Sequence, residues 1–128
     1  MINKLFTDKA PQAIGPYSQA IMVNNVIYTS GQIPIDPDTN AVSGDDIISQ
    51  AEQVMKNLSA VLKSGGATFD NVVKTTCFLA DMSYFADFNK VYASYITSAP
   101  ARSCVAVKEL PKGVLVEVEA IAYVGEKQ

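Results

Sequence analysis

At 128 residues the chain has the length of one domain, 1–128, and its apolar share of 48 % is enough for a real core. Charged residues make up only 18 %, against about 25 % in ordinary domains, so part of the surface is expected to be covered, most simply by further copies of the chain. Ten Lys and Arg against thirteen Asp and Glu leave a net charge of −3, and no basic run supplies the concentrated positive charge that a nucleic-acid footprint needs.

Residues 1–13 read as a short edge strand and a loop. Ile14-Gly15-Pro16-Tyr17 opens with a turn and leads into a strand around Ile21-Met22-Val23. Asn24-Asn25 is a hairpin turn, because asparagine tolerates positive φ. Val26-Ile27-Tyr28-Thr29-Ser30-Gly31 is the β-branched and aromatic return strand. Pro34 and Pro37 break the pattern, and residues 36–44 form an exposed loop.

Asp45 or Asp46 caps a helix running to about Ser64. Its apolar stripe is Ile47, Ala51, Val54, Met55, Leu58, Val61 and Leu62, and Gly65-Gly66 stops it. Val72 to Leu79 is a strand. Ser83 is expected to cap a second helix, with Phe85, Phe88, Val91, Tyr92, Tyr95 and Ile96 on one side. After Pro100 the run Ala101-Arg102-Ser103-Cys104-Val105-Ala106-Val107 alternates as a strand. Arg102, Cys104 and Ala106 share one face, and Ser103, Val105 and Val107 share the other. The last strand spans Val114 to Tyr123, with Glu117 and Glu119 on the face of Leu115, Ile121 and Tyr123. Two helices against five or six strands make an α+β layered sheet with both helices on one face. No third helix is left for the other face, and self-association is the economical cover.

The chain has no histidine, which removes Ser-His-Asp and Cys-His catalysis and the commonest zinc sites. Acid–base work falls to carboxylate, tyrosine, lysine or backbone-held water. Cys77 and Cys104 lack CxxC spacing, so they signal neither a zinc site nor a redox pair. Two free thiols without a signal peptide point to a cytoplasmic protein, and no apolar run reaches membrane-spanning length.

Arg102, on a rigid strand beside small residues, is placed to hold a planar anion by two parallel hydrogen bonds, although an internal ion pair would explain it equally well. Glu117 and Glu119 are either solvated or, if buried, raised in pKa and able to exchange protons with water. We expect Arg102 and one of these acids to share a pocket. Cys104 has no adjacent base and reads as a small residue whose backbone lines a site. Tyr17 and Ser30 sit at turns or strand ends where side chains reach ligands. Gly31 permits close backbone approach, and Asn89 reads as support for a loop's backbone.

Taken together, Ile14-Gly15-Pro16-Tyr17-Ser18-Gln19-Ala20, Thr29-Ser30-Gly31-Gln32-Ile33-Pro34, Val73-Lys74-Thr75-Thr76, Pro100-Ala101-Arg102-Ser103-Cys104-Val105 and Leu110-Pro111-Lys112-Gly113 with Val116-Glu117-Val118-Glu119-Ala120-Ile121-Ala122 closely resemble the RidA family (YjgF/YER057c/UK114) over nearly the whole chain. The resemblance implies a chorismate-mutase-like (bacillus type) fold, with three sheets in a trimeric barrel, helices outside and clefts between subunits. It implies hydrolysis of reactive enamines and imines, such as 2-aminoacrylate, 2-iminobutanoate and 2-iminopropanoate, to 2-oxo acids and ammonia without metal or organic cofactor. In that resemblance Arg102 is the carboxylate-binding arginine and Glu117 the acid that holds or activates water. Tyr17, Ser30, Gly31 and Cys104 are pocket residues, and Asn89 is structural support. The segment Tyr95-Ile96-Thr97-Ser98-Ala99 before Pro100 is short and lacks the aromatic residue many members carry, which changes the cleft rim. Two other readings stand beside this one. The first is a non-catalytic module that senses 2-oxo acids; the second is an endoribonuclease or translation inhibitor, which the acidic balance and the missing histidine oppose.

Overall fold

The computed structural model describes residues 1–125. Six strands form one mixed sheet: β1 (Asn3–Leu5), β2 (Ala20–Val23), β3 (Val26–Thr29), β4 (Val72–Leu79), β5 (Ala101–Ala106) and β6 (Val116–Tyr123). Their order is β1-β2-β3-β6-β4-β5, so the last strand of the chain inserts between β3 and β4. Only β4 and β5 run parallel, and α2 (Phe85–Tyr95) makes the crossover between them. The longer helix, α1 (Ile47–Ser64), connects β3 to β4 and packs on β6, β3 and α2.

Local chemistry accounts for the elements. Asn24 and Asn25 at φ 47 and 65 make the turn between β2 and β3, a left-handed pair that fits the twist of a hairpin. Asp46 caps α1 by accepting from Ser49 N at 3.0 Å, and Gly65 N closes the other end by donating to Leu62 O. Every residue of the α1 stripe is buried. The expected cap at Ser83 is absent: α2 begins after Tyr84 without a side-chain cap, and Ser83 lies inside a 3-10 turn, Met82–Tyr84, that Asp81 caps by accepting from Ser83 N at 2.8 Å. A backbone turn already satisfied by the preceding acid leaves the serine nothing to cap.

On β6, Val116, Val118, Ala120 and Ala122 are buried under the helices, as are Thr75, Cys77 and Leu79 on β4. A bulge between Val72 and Lys74 lets Val72 point inward as well. The opposite face has no helix. It leaves Tyr28, Val105 and Tyr123 about half exposed, with Glu117, Glu119 and Ile121 among them. The two-helix, one-face α+β architecture expected from the sequence is therefore the observed one.

Candidate functional site

Arg102 projects from β5 on the helix side, beside its Cα partner Thr75. Its Nη1 donates to Asn89 Oδ1 at 2.7 Å. The guanidinium carbon lies 4.9 Å from the Tyr92 ring centroid and 5.5 Å from that of Phe85, close enough for cation–π attraction. Phe85, Asn89 and Tyr92 recur at i, i+4 and i+7 on α2, which puts them on one helix face. Tyr92 is itself fixed by a 2.8 Å hydroxyl–hydroxyl hydrogen bond with Thr75. Among the described residues the only salt bridge joins Lys90 to Asp87, so Arg102 has no carboxylate partner. Its cleft, about 560 Å³, is lined by Asn89, Tyr92, Ile96, Thr97, Pro100 and Arg102. A guanidinium held by one neutral oxygen and two ring faces keeps donors available for an anion.

Asn89 was expected to serve a loop's backbone; its side chain instead orients the arginine. Cys104, half-buried two residues beyond Arg102 on the same face, is the Cα partner of Cys77. Burial raises its thiol pKa, while the Arg102 guanidinium pulls it back in part.

A second group forms around β6 on the bare face. A Cβ added at Gly31 would run into the Glu117 carboxylate, with Cδ at 2.8 Å, so a larger residue here would have to push that acid aside. Gly31 is held there by its neighbour: Gln32 N donates to Val118 O at 2.8 Å, and Val118 N returns a bond to Gln32 O. Glu117 is half-buried; burial first, and Glu119 second, hold its carboxyl above the ordinary value of 4.5. Ser30 Oγ donates to Ser18 O at 2.6 Å, tying the strand end to the segment that carries Tyr17. Tyr17 and Gly31 border a small cavity of about 120 Å³, together with Ile14, Ile33, Ile35 and Lys112.

The expected residues thus fall into two candidate half-sites. Tyr17, Ser30, Gly31 and Glu117 form one, while Arg102, Cys104 and Asn89 form the other, on the opposite side of the sheet. The expectation that Arg102 and a glutamate share a pocket does not hold within one chain, because β5 and β6 present these residues to different faces. Sequence reasoning missed the aromatic cradle of Phe85 and Tyr92; its signal was their spacing about Asn89. A separate opening of about 520 Å³ beside α1 gathers Lys9, Lys56 and Lys63, a local positive patch that their linear order does not reveal. Among the described residues no group of three or more His, Cys, Asp or Glu could hold a metal ion, and no helix is long and apolar enough to cross a membrane.

Residues 7–124 match the model of the family described as Endoribonuclease L-PSP. The chain is 52 % identical over 116 residues to a Lactococcus lactis protein named as the regulator AldR, covering 90 % of this chain and 92 % of that one. It is 48 % identical over 120 residues to the mouse protein named 2-iminobutanoate/2-iminopropanoate deaminase, covering 93 % and 89 %. Among solved structures it superposes on YyfA of Yersinia pestis, described as belonging to the conserved Rid protein family, with a TM-score of 0.94 and 49 % identity, covering 97 % of this chain and all of that one. With the whole described fold and nearly the full length matched, the chain belongs to the Endoribonuclease L-PSP family, that of the RidA/YjgF proteins.

Proposed function

We propose that the protein is a 2-imino acid deaminase, hydrolysing small enamine-derived imines such as 2-iminobutanoate and 2-iminopropanoate to 2-oxo acids and ammonia. The observation that carries this reading is the unpaired guanidinium of Arg102, oriented by Asn89 and open to a cleft. The deaminase name of the mouse relative supports it. Because the two half-sites lie on opposite faces of one sheet, the working site pairs Arg102, Asn89 and Cys104 of one copy with Tyr17, Ser30, Gly31 and Glu117 of the next. The assembly is the homotrimer that the family resemblance implies, with the bare, apolar-rich sheet faces covered at its centre.

In this site Arg102 grips the substrate carboxylate in a bidentate fork and fixes the C=N carbon in place. Glu117, whose carboxylate is made more basic by burial, accepts a proton from the attacking water as it adds to that carbon. The same carboxyl returns that proton to nitrogen, and the adduct's hydroxyl proton follows by the same route as the C–N bond breaks, leaving the 2-oxo acid and ammonia. Water is consumed, one C=N bond is replaced by C=O, and no redox partner enters. Imines already hydrolyse in water, so positioning supplies most of the acceleration.

A threonine dehydratase that releases the imine in situ tests this reading. Adding the protein should speed the appearance of 2-oxobutanoate, and the native mass should be three times that of the chain. Release at the uncatalysed rate would overturn the activity. The regulator name of the Lactococcus lactis relative favours a second reading, a non-catalytic regulatory module; with 2-oxo acids as its ligands, it predicts 2-oxobutanoate binding at Arg102 with no change in imine lifetime.

A further inference from the structure

Cys77 and Cys104 stand directly opposite one another in the parallel β4–β5 pair. Both leave the sheet on the helix side, Cys77 with no exposed surface and Cys104 half-buried. Neighbouring strands run about 4.8 Å apart, which lies inside the Cα window of about 4.4–6.8 Å that a disulfide tolerates. A disulfide can therefore span this pair without moving either strand out of register. Nothing in the proposed deaminase chemistry uses either sulfur as a nucleophile.

The two thiols differ in reactivity. Burial pushes Cys77 up to about 12, and the nearness of Cys104 adds to that shift. Cys104 is also raised by burial but is drawn back by the Arg102 guanidinium. The thiolate is the reactive form, so a small oxidant meets Cys104, the partly exposed thiol, before the fully buried Cys77.

We infer that Cys77 and Cys104 are a redox-modification site, forming a reversible disulfide within one chain when a small hydroperoxide reaches Cys104. With hydrogen peroxide, the Cys104 sulfur attacks the O–O bond and becomes a sulfenic acid, and one water leaves. The Cys77 sulfur then attacks the Cys104 sulfur and expels the oxygen as a second water, which takes up the Cys77 proton. Two electrons pass from the thiol pair to the peroxide, and the chain loses two hydrogens. Two thiols lost from such an apolar layer react slowly, so excess peroxide and minutes to hours are expected rather than seconds.

Arg102 lies two residues before Cys104 on the same face of the same strand. A bond between Cys104 and Cys77 changes the packing beside the guanidinium, and the oxidised protein should bind 2-oxo acids at least tenfold more weakly. That last consequence rests on the anion-binding reading of Arg102; the disulfide does not.

The test exposes the full-length protein, Cys77→Ser and Cys77→Ala to hydrogen peroxide, then measures intact mass and thiols titrated after denaturation. In the unsubstituted protein both thiols should disappear together, with the mass of two hydrogens lost, no disulfide-linked multimers, and full recovery in dithiothreitol. In either variant Cys104 should instead gain oxygen, in a form that dithiothreitol does not reverse. Retention of both thiols, bonding between chains, or the same oxygen gain at Cys104 with and without Cys77 would overturn the inference. Binding of 2-oxobutanoate is read in parallel by calorimetry. Failure of the reduced protein to bind it would strike the functional reading and leave the mass result to decide the disulfide.

Discussion

Arg102 and Glu117 leave one sheet on opposite faces, with β4 between their strands: Arg102 pairs with Thr75, which is buried under α2, and Glu117 pairs with Phe78 on the bare side. A single chain cannot close a site around both. If the site is built between copies, subunits lacking one residue should rescue subunits lacking the other. Equal mixing of Arg102→Ala and Glu117→Gln chains under subunit exchange should restore about one quarter of the sites, since each interface draws one partner of each kind at random. Mixed assemblies as inactive as the parents would place both residues outside a shared site.

Arg102→Ala should lower kcat/KM for in situ 2-iminobutanoate by two orders of magnitude or more, given about 1.5–3 kcal/mol for each charge-assisted hydrogen bond and a further loss of orientation. Arg102→Lys should recover only part of this, because a point ammonium cannot form the planar fork. Steady-state kinetics beside a circular-dichroism melt separates lost chemistry from lost fold.

Burial and Glu119 raise the pKa of Glu117 above 4.5. The native state then holds more protons than the unfolded one in the window just above that value, so stability falls as pH rises through it. Glu117→Gln should therefore melt higher than the unsubstituted protein at neutral pH, with the difference closing below about pH 4, where both states are protonated. In activity the acidic limb of the pH–rate profile should lie above the range of a free carboxylate. Equal melting temperatures at pH 7 would contradict the assigned burial cost.

Gly31 leaves no room for a Cβ, since that atom would strike the Glu117 carboxylate, whose Cδ is 2.8 Å away. Gly31→Ala should displace the acid, whose flexible side chain can swing aside at small cost to stability, so activity should fall much further than stability does. Chemical denaturation and turnover measured on the same sample report the two separately.

Asn89 Oδ1 gives Arg102 a neutral acceptor. Asn89→Asp replaces it with an ionised one of nearly identical shape, which should hold the guanidinium more tightly and compete with the substrate carboxylate. KM should rise tenfold or more, the scale of one charge-assisted bond, while kcat changes less. An unchanged KM would show that the anion is held elsewhere.

Much of this protein is written in local pattern. The stripe on α1, the Asn24-Asn25 turn and the alternation of β4, β5 and β6 were legible because burial on one face imposes a period of 3.6 or 2 on apolar residues. The same alternation placed Arg102 with Cys104, and Glu117 with Glu119, in the correct pairs. It could not say which pair lies under the helices, since small residues at Cys104 and Ala106 and acids at Glu117 and Glu119 leave the sense of each face ambiguous. The Ser83 cap was misread for a related reason: Asp81 and Ser83 both suit a cap, and only the backbone turn chooses between them.

What the sequence determined by itself was the set of elements, the residues that share each face, and the family to which the chain belongs. What only the tertiary structure decided was strand order, with β6 inserted between β3 and β4, and through it the division of the candidate site into two halves. Strand order is set by long-range pairing and by which faces the two helices can cover, and no local period carries that information.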